Sequence, residues 1–199
     1  MNRAHLNRAD LRGSLLRGSL LRGANLSGAN LSGAYLSVAS LSGAYLSGAY
    51  LRDASLSGAY LSNTKIDEKT KLDSKWRKVW EIINQGAKDQ DLSTLDLSNA
   101  NLRSIDLSNA RLIQTNLNYS RLENTNLIGA NLIGADLRNA QLLNANLTDA
   151  DLSSARVKNA RFGNNKGISE IMKRDLKSRG AIFEDSPGDR SEVKIPTPV

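Results

Sequence analysis

A leucine recurs every five residues along most of this chain. One unbroken series of thirteen such positions runs from Leu6 to Ile66, and a second series of fifteen runs from Leu92 to Phe162. A period of five fits neither an α-helix, which repeats about every 3.6 residues, nor a flat strand, which alternates. The chain must therefore turn at five-residue intervals.

Each five-residue unit supplies one large and one small apolar residue, as a narrow square coil requires. The leucine would fill the interior, and the alanine two positions earlier would let neighbouring corners approach closely. Glycine or asparagine just after the leucine, as at Gly28 and Asn99, tolerates the positive φ of a tight turn. One unit alone buries nothing, so successive coils must stack.

The motif A-[N/D]-L-S-G, seen as ANLSG at 24–28 and ADLRN at 135–139, resembles the pentapeptide-repeat proteins. The 28 units cover 140 of the 199 residues. The resemblance implies an all-β solenoid, a right-handed quadrilateral β-helix with four repeats per coil. It would have about seven coils and a length of roughly 34 Å, at a strand spacing of ~4.8 Å.

The segment 67–91 breaks the five-residue spacing and predicts a helix near 74–85. Ser74 is expected to cap its start, Gly86 its end, and Arg77 to pair with Glu81. The stretch KWRKVWEIINQG resembles an insertion common among cyanobacterial members of the family. The apolar residues on one helical face are Leu72, Trp76, Val79, Trp80 and Ile83.

Both tryptophans of the chain, Trp76 and Trp80, lie on that face. They would either pack against the coil and cover the joint between the arrays, or dock a partner protein.

After Phe162 the pattern predicts a helix that caps the leucine core. Its apolar face would comprise Ile168, Ile171, Met172 and Leu176, and Gly180 would end it. The predicted segments are a first pentapeptide array (1–66), a helical insertion (67–91), a second array continuous with the first (92–163), a capping helix (164–184) and a flexible tail (185–199).

The N-terminal end has no equivalent cap, which predicts an open coil edge ringed by arginines. Two interpretations fit the ring. The charges keep rods from stacking end to end, or they bind an anionic partner such as an acidic protein, nucleic acid or lipid headgroups. The five residues are Arg3, Arg8, Arg12, Arg17 and Arg22.

Two further features concern the outer surface of the rod. Ile113 and Ile133 differ by 20 positions, so they should stack outward as a small apolar ladder, and Leu15 should lie one coil below Tyr35. Tyr35, Tyr45, Tyr50 and Tyr60 fall on four different sides and cannot form one platform for nucleic-acid bases.

Composition argues against catalysis. The chain has no cysteine and one histidine, His5, and its serines have no base in register. No spacing suggests a metal or cofactor site, and a leucine-filled solenoid offers no pocket. There is neither a membrane-span-length apolar stretch nor a signal peptide, so we expect a cytoplasmic protein.

These features predict a non-catalytic protein-interaction scaffold or regulator with an unidentified protein partner, acting as a monomer or an end-to-end homodimer. The alternative is binding of nucleic acid or an anionic membrane through the arginine ring. The resemblance also raises a DNA mimic that protects topoisomerases, but the net charge of +7 has the wrong sign.

Overall fold

The computed structural model describes residues 3–184, in which the chain winds into stacked four-sided coils. Within each array, parallel bridges join most sides to the side 20 residues later, as in the series His5, Asn25 and Tyr45. Leu15 pairs in the same way with Tyr35, which confirms that one lies directly below the other. Between bridges the chain turns a corner every five residues.

Except at 66–70, the corners of both arrays are tight turns whose third residue has positive φ. At Leu26 the carbonyl oxygen accepts a hydrogen bond from the amide of Ala29, 3.0 Å away. Gly28 between them has φ 67°, and Asn99 takes φ 59° at the equivalent place in the second array. These are the positions at which glycine and asparagine were predicted, because those residues adopt left-handed conformations at low cost.

The leucines and alanines of the repeat form one continuous core. From Leu21 onward the inward leucines are almost fully buried, and Ala24 and its equivalents fill the space between them. Burying one leucine side chain contributes about 1.5–3 kcal/mol to folding. The repeat therefore stabilises the rod through many similar layers.

The first array continues past Ile66 for one more side, in which Lys71 pairs with Tyr50 over 21 residues instead of 20. Asp67 organises the extra residue, because its Oδ1 accepts hydrogen bonds from the amides of Gly48 and Thr70, both at 2.9 Å. The stacking thus reaches beyond the predicted boundary at residue 66.

A helix, α1 (Ser74–Gln85), lies between the arrays. Val79 and Ile82 are buried, and Trp76 and Ile83 pack against the core. Lys75 Nζ lies 2.9 Å from Asp96 Oδ2 in the second array. The helix therefore contacts the rod instead of projecting from it.

Two local predictions about α1 were wrong. The residue that caps its N-terminus is Asp73, without a side-chain cap hydrogen bond, and Ser74 is the first helical residue. Arg77 does not pair with Glu81, because its guanidinium donates to the carbonyl oxygen of Thr70 at 2.7 Å. Glu81 pairs with Lys78 at 3.4 Å. Gly86, with φ 88°, ends the helix as predicted.

The C-terminal end of the described chain is covered. Strand β1 (Arg161–Phe162) pairs in parallel with β2 (Ile182–Phe183), and α2 (Glu170–Ser178) connects them. The rings of Phe162 and Phe183 stack with centroids 5.1 Å apart. Leu176 of α2 is fully buried.

One residue of the predicted capping face points outward. Met172 and Leu176, four positions apart, form the buried stripe of α2, and Ile168 before the helix packs with them. Ile171 lies beside this stripe and is 75% exposed, so its assignment to the core was wrong. Gly180 has φ 89°, as a residue that stops a helix often has. The predicted tail, 185–199, lies outside the described residues.

Candidate functional site

The first coil leaves a row of backbone groups without partners at the N-terminal edge. In an interior coil, the amide of Asn25 donates a hydrogen bond to the carbonyl oxygen of Ala4. The carbonyl oxygen of Asn25 accepts one from the amide of Leu6. The corresponding groups of the first coil have no hydrogen bond to any residue in 3–184. They belong to the four sides at His5, Asp10, Leu15 and Leu20.

The same edge exposes the end of the leucine core. Leu6, Leu11 and Leu16 are only partly buried, whereas Leu21 and the leucines above it are at or near 0% exposure. On the outside, Leu15 is 84% exposed and Leu20 59%. Exposed apolar surface and unpaired backbone groups together favour pairing of this edge with another strand.

The predicted arginine ring surrounds this edge, and all five side chains are exposed. Arg12 makes a hydrogen-bonded pair with Asp10 at 2.7 Å, which lowers the pKa of that carboxyl. The other four form no ion pair or side-chain hydrogen bond among the described residues. They are Arg3, Arg8, Arg17 and Arg22.

The structure places at least one arginine at each of the four corners. Arg12 and Arg17 follow their leucines at two corners, and Arg8 has φ 59° at a third. Arg3 and Arg22 share the fourth corner, where the amide of Arg3 donates to the carbonyl of Arg22 at 2.9 Å. The positive charge thus surrounds the whole edge.

The two tryptophans are half-buried and engaged with the rod. The indole nitrogen of Trp80 donates to Thr64 Oγ1 at 2.9 Å, and Trp76 packs against the core with Lys75 Nζ 5.2 Å from its ring centroid. These contacts account for both rings without a partner protein, while the docking role remains a prediction.

The residues of the predicted isoleucine ladder expose little apolar surface. Ile113 is half-buried, Ile133 is 37% exposed and Ile128 on the neighbouring side is 36% exposed. Tyr35, Tyr45 and Tyr50 are about half exposed on three different sides, as their spacing indicated. None of these residues belongs to the first coil.

Sequence reasoning missed a polar cluster at the joint between the arrays. Glu123 is 9% exposed and lies between Arg121 Nη2, 3.2 Å from its Oε1, and Arg103 Nε, 3.8 Å from its Oε2. Arg121 also reaches Tyr60 in the first array. The sequence offered one indication of this cluster, since Glu123 is the only glutamate in residues 92–163.

The described surface offers grooves but no clustered metal ligands. Within residues 3–184 no three His, Cys, Asp or Glu residues are grouped so as to hold a metal ion. In the same range no helix is long and apolar enough to cross a membrane. A shallow groove of about 560 Å³ beside the edge is lined by Arg3, His5, Asn25 and Tyr45, with glycines between them.

A family model for pentapeptide repeats matches the chain in eight copies, over residues 1–37, 39–68, 96–132 and 125–164. These ranges include more than half of the chain. A search among curated proteins found no match.

Solved structures of several pentapeptide repeat proteins are similar to this chain. One from the thylakoid lumen of Arabidopsis thaliana is 25% identical, with 48% of this chain and 81% of that chain covered and a TM-score of 0.42. Rfr23 from the cyanobacterium Cyanothece 51142 is 25% identical, with coverage of 72% and 88% and a TM-score of 0.38. HetL from the cyanobacterium Nostoc, involved in heterocyst differentiation regulation, is 28% identical, with coverage of 80% and 73% and a TM-score of 0.25.

Proposed function

Because the chain belongs to the pentapeptide-repeat family, whose members form right-handed β-helices, we propose that it is a non-catalytic scaffold that binds another protein at its N-terminal edge. The observation that carries this proposal is the difference between the two ends. The apolar core at the C-terminal end is covered by α2 and β2, with Val157 and Phe162 buried, while the first coil presents partly exposed leucines and unpaired backbone on all four sides.

The arginines favour an acidic surface on the partner. Four of them are free of ion pairs among residues 3–184, so an acidic protein would supply the missing counter-charges. Such pairs raise the association rate and select the partner more than they add affinity. The apolar edge beneath them would supply the affinity.

We also propose that the two arrays act as one rod of seven coils. This is supported by the direct hydrogen bond from the amide of Gly58 to the carbonyl of Asn99, 2.8 Å long, and by the contacts of α1 with both arrays. A single rigid rod would hold the edge at a fixed distance from any contact on the second array.

The test is affinity capture from nuclease-treated lysate of the source organism, followed by binding measurements with the purified partner. The test variant changes Arg3, Arg8, Arg12, Arg17 and Arg22 to Ser. A matched control removes five exposed positive charges elsewhere, at Arg52, Arg156, Lys158, Lys166 and Arg174.

A protein retained by the wild type and the control, but lost from the N-terminal variant, is the expected result. Retention by all three proteins would move the interaction to another face. In a parallel capture from untreated lysate, binding that is absent after nuclease treatment would support nucleic acid as the ligand and contradict the proposal.

A further inference from the structure

We propose that the N-terminal edge binds an acidic segment with leucine at five-residue spacing, which adds to the rod as one more parallel coil. This inference rests on the proposed function and names the class of partner and its mode of binding. Three properties of the edge lead to it: its shape, its apolar contacts and its charge.

The shape of the edge excludes a straight strand as a full partner. The unpaired groups lie on four successive sides, at His5, Asp10, Leu15 and Leu20, and the chain turns a corner between each pair of them. An extended strand could pair with only one side before leaving the edge. A segment that turns every five residues can use all four.

The hydrogen-bonding pattern inside the rod shows how such a segment would pair. The amide of Leu6 donates to the carbonyl oxygen of Asn25 at 2.8 Å, and the amide of Asn25 donates to the carbonyl oxygen of Ala4 at 2.9 Å. A coil placed below the first would therefore donate from its leucine amides to the carbonyls of His5, Asp10, Leu15 and Leu20. It would accept hydrogen bonds from the amides of the same four residues.

The leucine core requires the same spacing in the partner. Each buried leucine from Leu21 upward is covered by the layers on both sides, and Leu6, Leu11 and Leu16 lack a layer below. A segment with leucine at every fifth position would cover these three and complete the first layer. Burial of this apolar surface is the main source of affinity.

The charge distinguishes an acidic partner from a second copy of this chain. In the first coil Arg12 and Arg17 occupy the position directly after a leucine, and carboxylates at that position of an added coil would lie beneath them at two corners. A second copy docked edge to edge would instead bring two arginine rings together, because both edges carry the same residues. The C-terminal end of that second copy is covered by α2 and β2.

Synthetic peptides test this mode of binding directly. The probe is a 20-residue peptide, (Ala-Asn-Leu-Glu-Gly)₄, titrated against the full chain by fluorescence anisotropy. Three controls change one property each: lysine in place of glutamate, serine in place of leucine, and N-methyl-leucine in place of leucine. The last keeps the net charge and the side chains but replaces each donor amide hydrogen by a methyl group.

We expect the acidic leucine peptide to bind, and each control to bind at least about tenfold more weakly. Binding should weaken with added salt, and the variant with all five arginines changed to Ser should bind the acidic peptide at least about tenfold more weakly. Amide hydrogen exchange at His5, Asp10, Leu15 and Leu20, measured by NMR, should slow in the complex, with no change at Leu31 as an internal reference.

Equal binding of the leucine and serine peptides would show simple charge attraction and overturn the proposal. So would binding without protection of the four amides, or an edge-to-edge dimer of the chain in sedimentation at low peptide concentration. A lysate partner that depends on the arginines, but does not compete with the peptide, would leave the proposed function standing and refute this mode of binding.

Discussion

Arg121 Nη1 donates a hydrogen bond to the hydroxyl of Tyr60 over 3.1 Å, although 61 residues separate them. Its guanidinium also lies 6.0 Å from the centre of the tyrosine ring. Tyr60 belongs to the first array and Arg121 to the second, where it pairs with Asn101 one coil away. One side-chain contact therefore spans the joint.

Changing Tyr60 to Phe removes this hydrogen bond and keeps the ring. Because the partner is charged and half-buried, we expect the free energy of unfolding to fall by about 1–2 kcal/mol. Urea unfolding measures the change. Tyr50→Phe is the control, since the Tyr50 hydroxyl has no hydrogen bond among the described residues, and it should have almost no effect. Equal effects of the two substitutions would contradict a role for the contact at the joint.

The joint also interrupts the hydrogen-bond ladder of the backbone. The amides of Leu56 and Leu61 donate to no residue in 3–184, whereas the amide of Leu31 donates to Tyr50 at 2.7 Å. We expect the amide protons of Leu56 and Leu61 to exchange at least about tenfold faster than that of Leu31. Native-state hydrogen exchange by NMR checks this, and protection equal to that of Leu31 would show a continuous ladder.

The regular part of the fold follows from local chemistry that is repeated many times. Positive φ at Gly28 and Asn99, burial of Leu31 and Ala34, and the position of Leu15 below Tyr35 each depend only on the five-residue unit and its stacking. Any one unit would be a weak signal, but the units reinforce one another. Periodicity therefore predicts these features.

The joint and the side-chain partners do not follow from periodicity. The spacing between Ile66 and Leu92 is not a multiple of five, so sequence cannot place Tyr60 beside Arg121. Arg77 could reach either Glu81 or the carbonyl of Thr70, and only the packing of α1 decides for the carbonyl. Ile171 and Met172 are adjacent in α2, which has nine residues. In so short a helix the spacing of the apolar residues does not determine which of the two is buried.

At the edge, sequence alone predicted the arginine ring. It could not assign the hydrogen bonds of each amide, which determine whether a further coil can add. The free backbone of the first coil is thus a result of the three-dimensional structure.

Stability in acid should depend on Asp67. Its pKa lies below the ordinary value of 3.8, chiefly because its carboxylate accepts the amide hydrogen bond of Gly48, with further bonds from Thr70 and Lys69. A carboxyl with a lowered pKa in the folded state stabilises the fold above its unfolded pKa, and this contribution is lost as pH falls through the folded pKa.

The substitution Asp67→Asn should therefore lower stability near neutral pH and reduce its decline below about pH 3.8. Urea unfolding at a series of pH values measures both effects. Asp53→Asn serves as the control, because that carboxylate has no hydrogen bond or ion pair among residues 3–184. If the free energy of unfolding of the Asp67→Asn variant fell with acid as steeply as that of the wild type, Asp67 would not be the source of the acid dependence.

Two small buried hydroxyl residues should respond differently to replacement by alanine. Thr115 Oγ1 donates to the carbonyl oxygen of Leu92 at 2.8 Å, while the fully buried Ser120 Oγ has no hydrogen-bond partner among the described residues. Thr115→Ala should cost about 1 kcal/mol in the free energy of unfolding, through the lost hydrogen bond and methyl group. Ser120→Ala should be neutral or stabilising, because it removes an unsatisfied polar atom. Similar losses in both variants would show that Ser120 is hydrogen-bonded.

A pair of leucine truncations should reveal how the end coil differs from the interior. Leu31 is fully buried, whereas Leu11 in the first coil is only partly buried. Leu31→Ala should therefore destabilise the rod by about 2–5 kcal/mol, including the cost of the cavity. Leu11→Ala should cost less, because its side chain loses less contact and the open end can relax around the gap.

In a stacked repeat the damage at Leu11 should also remain local, so amide exchange should quicken in the first coil and stay unchanged at Leu112. Equal unfolding free energies for the two variants would mean that the first coil is covered in solution, and that its edge is not available to a partner.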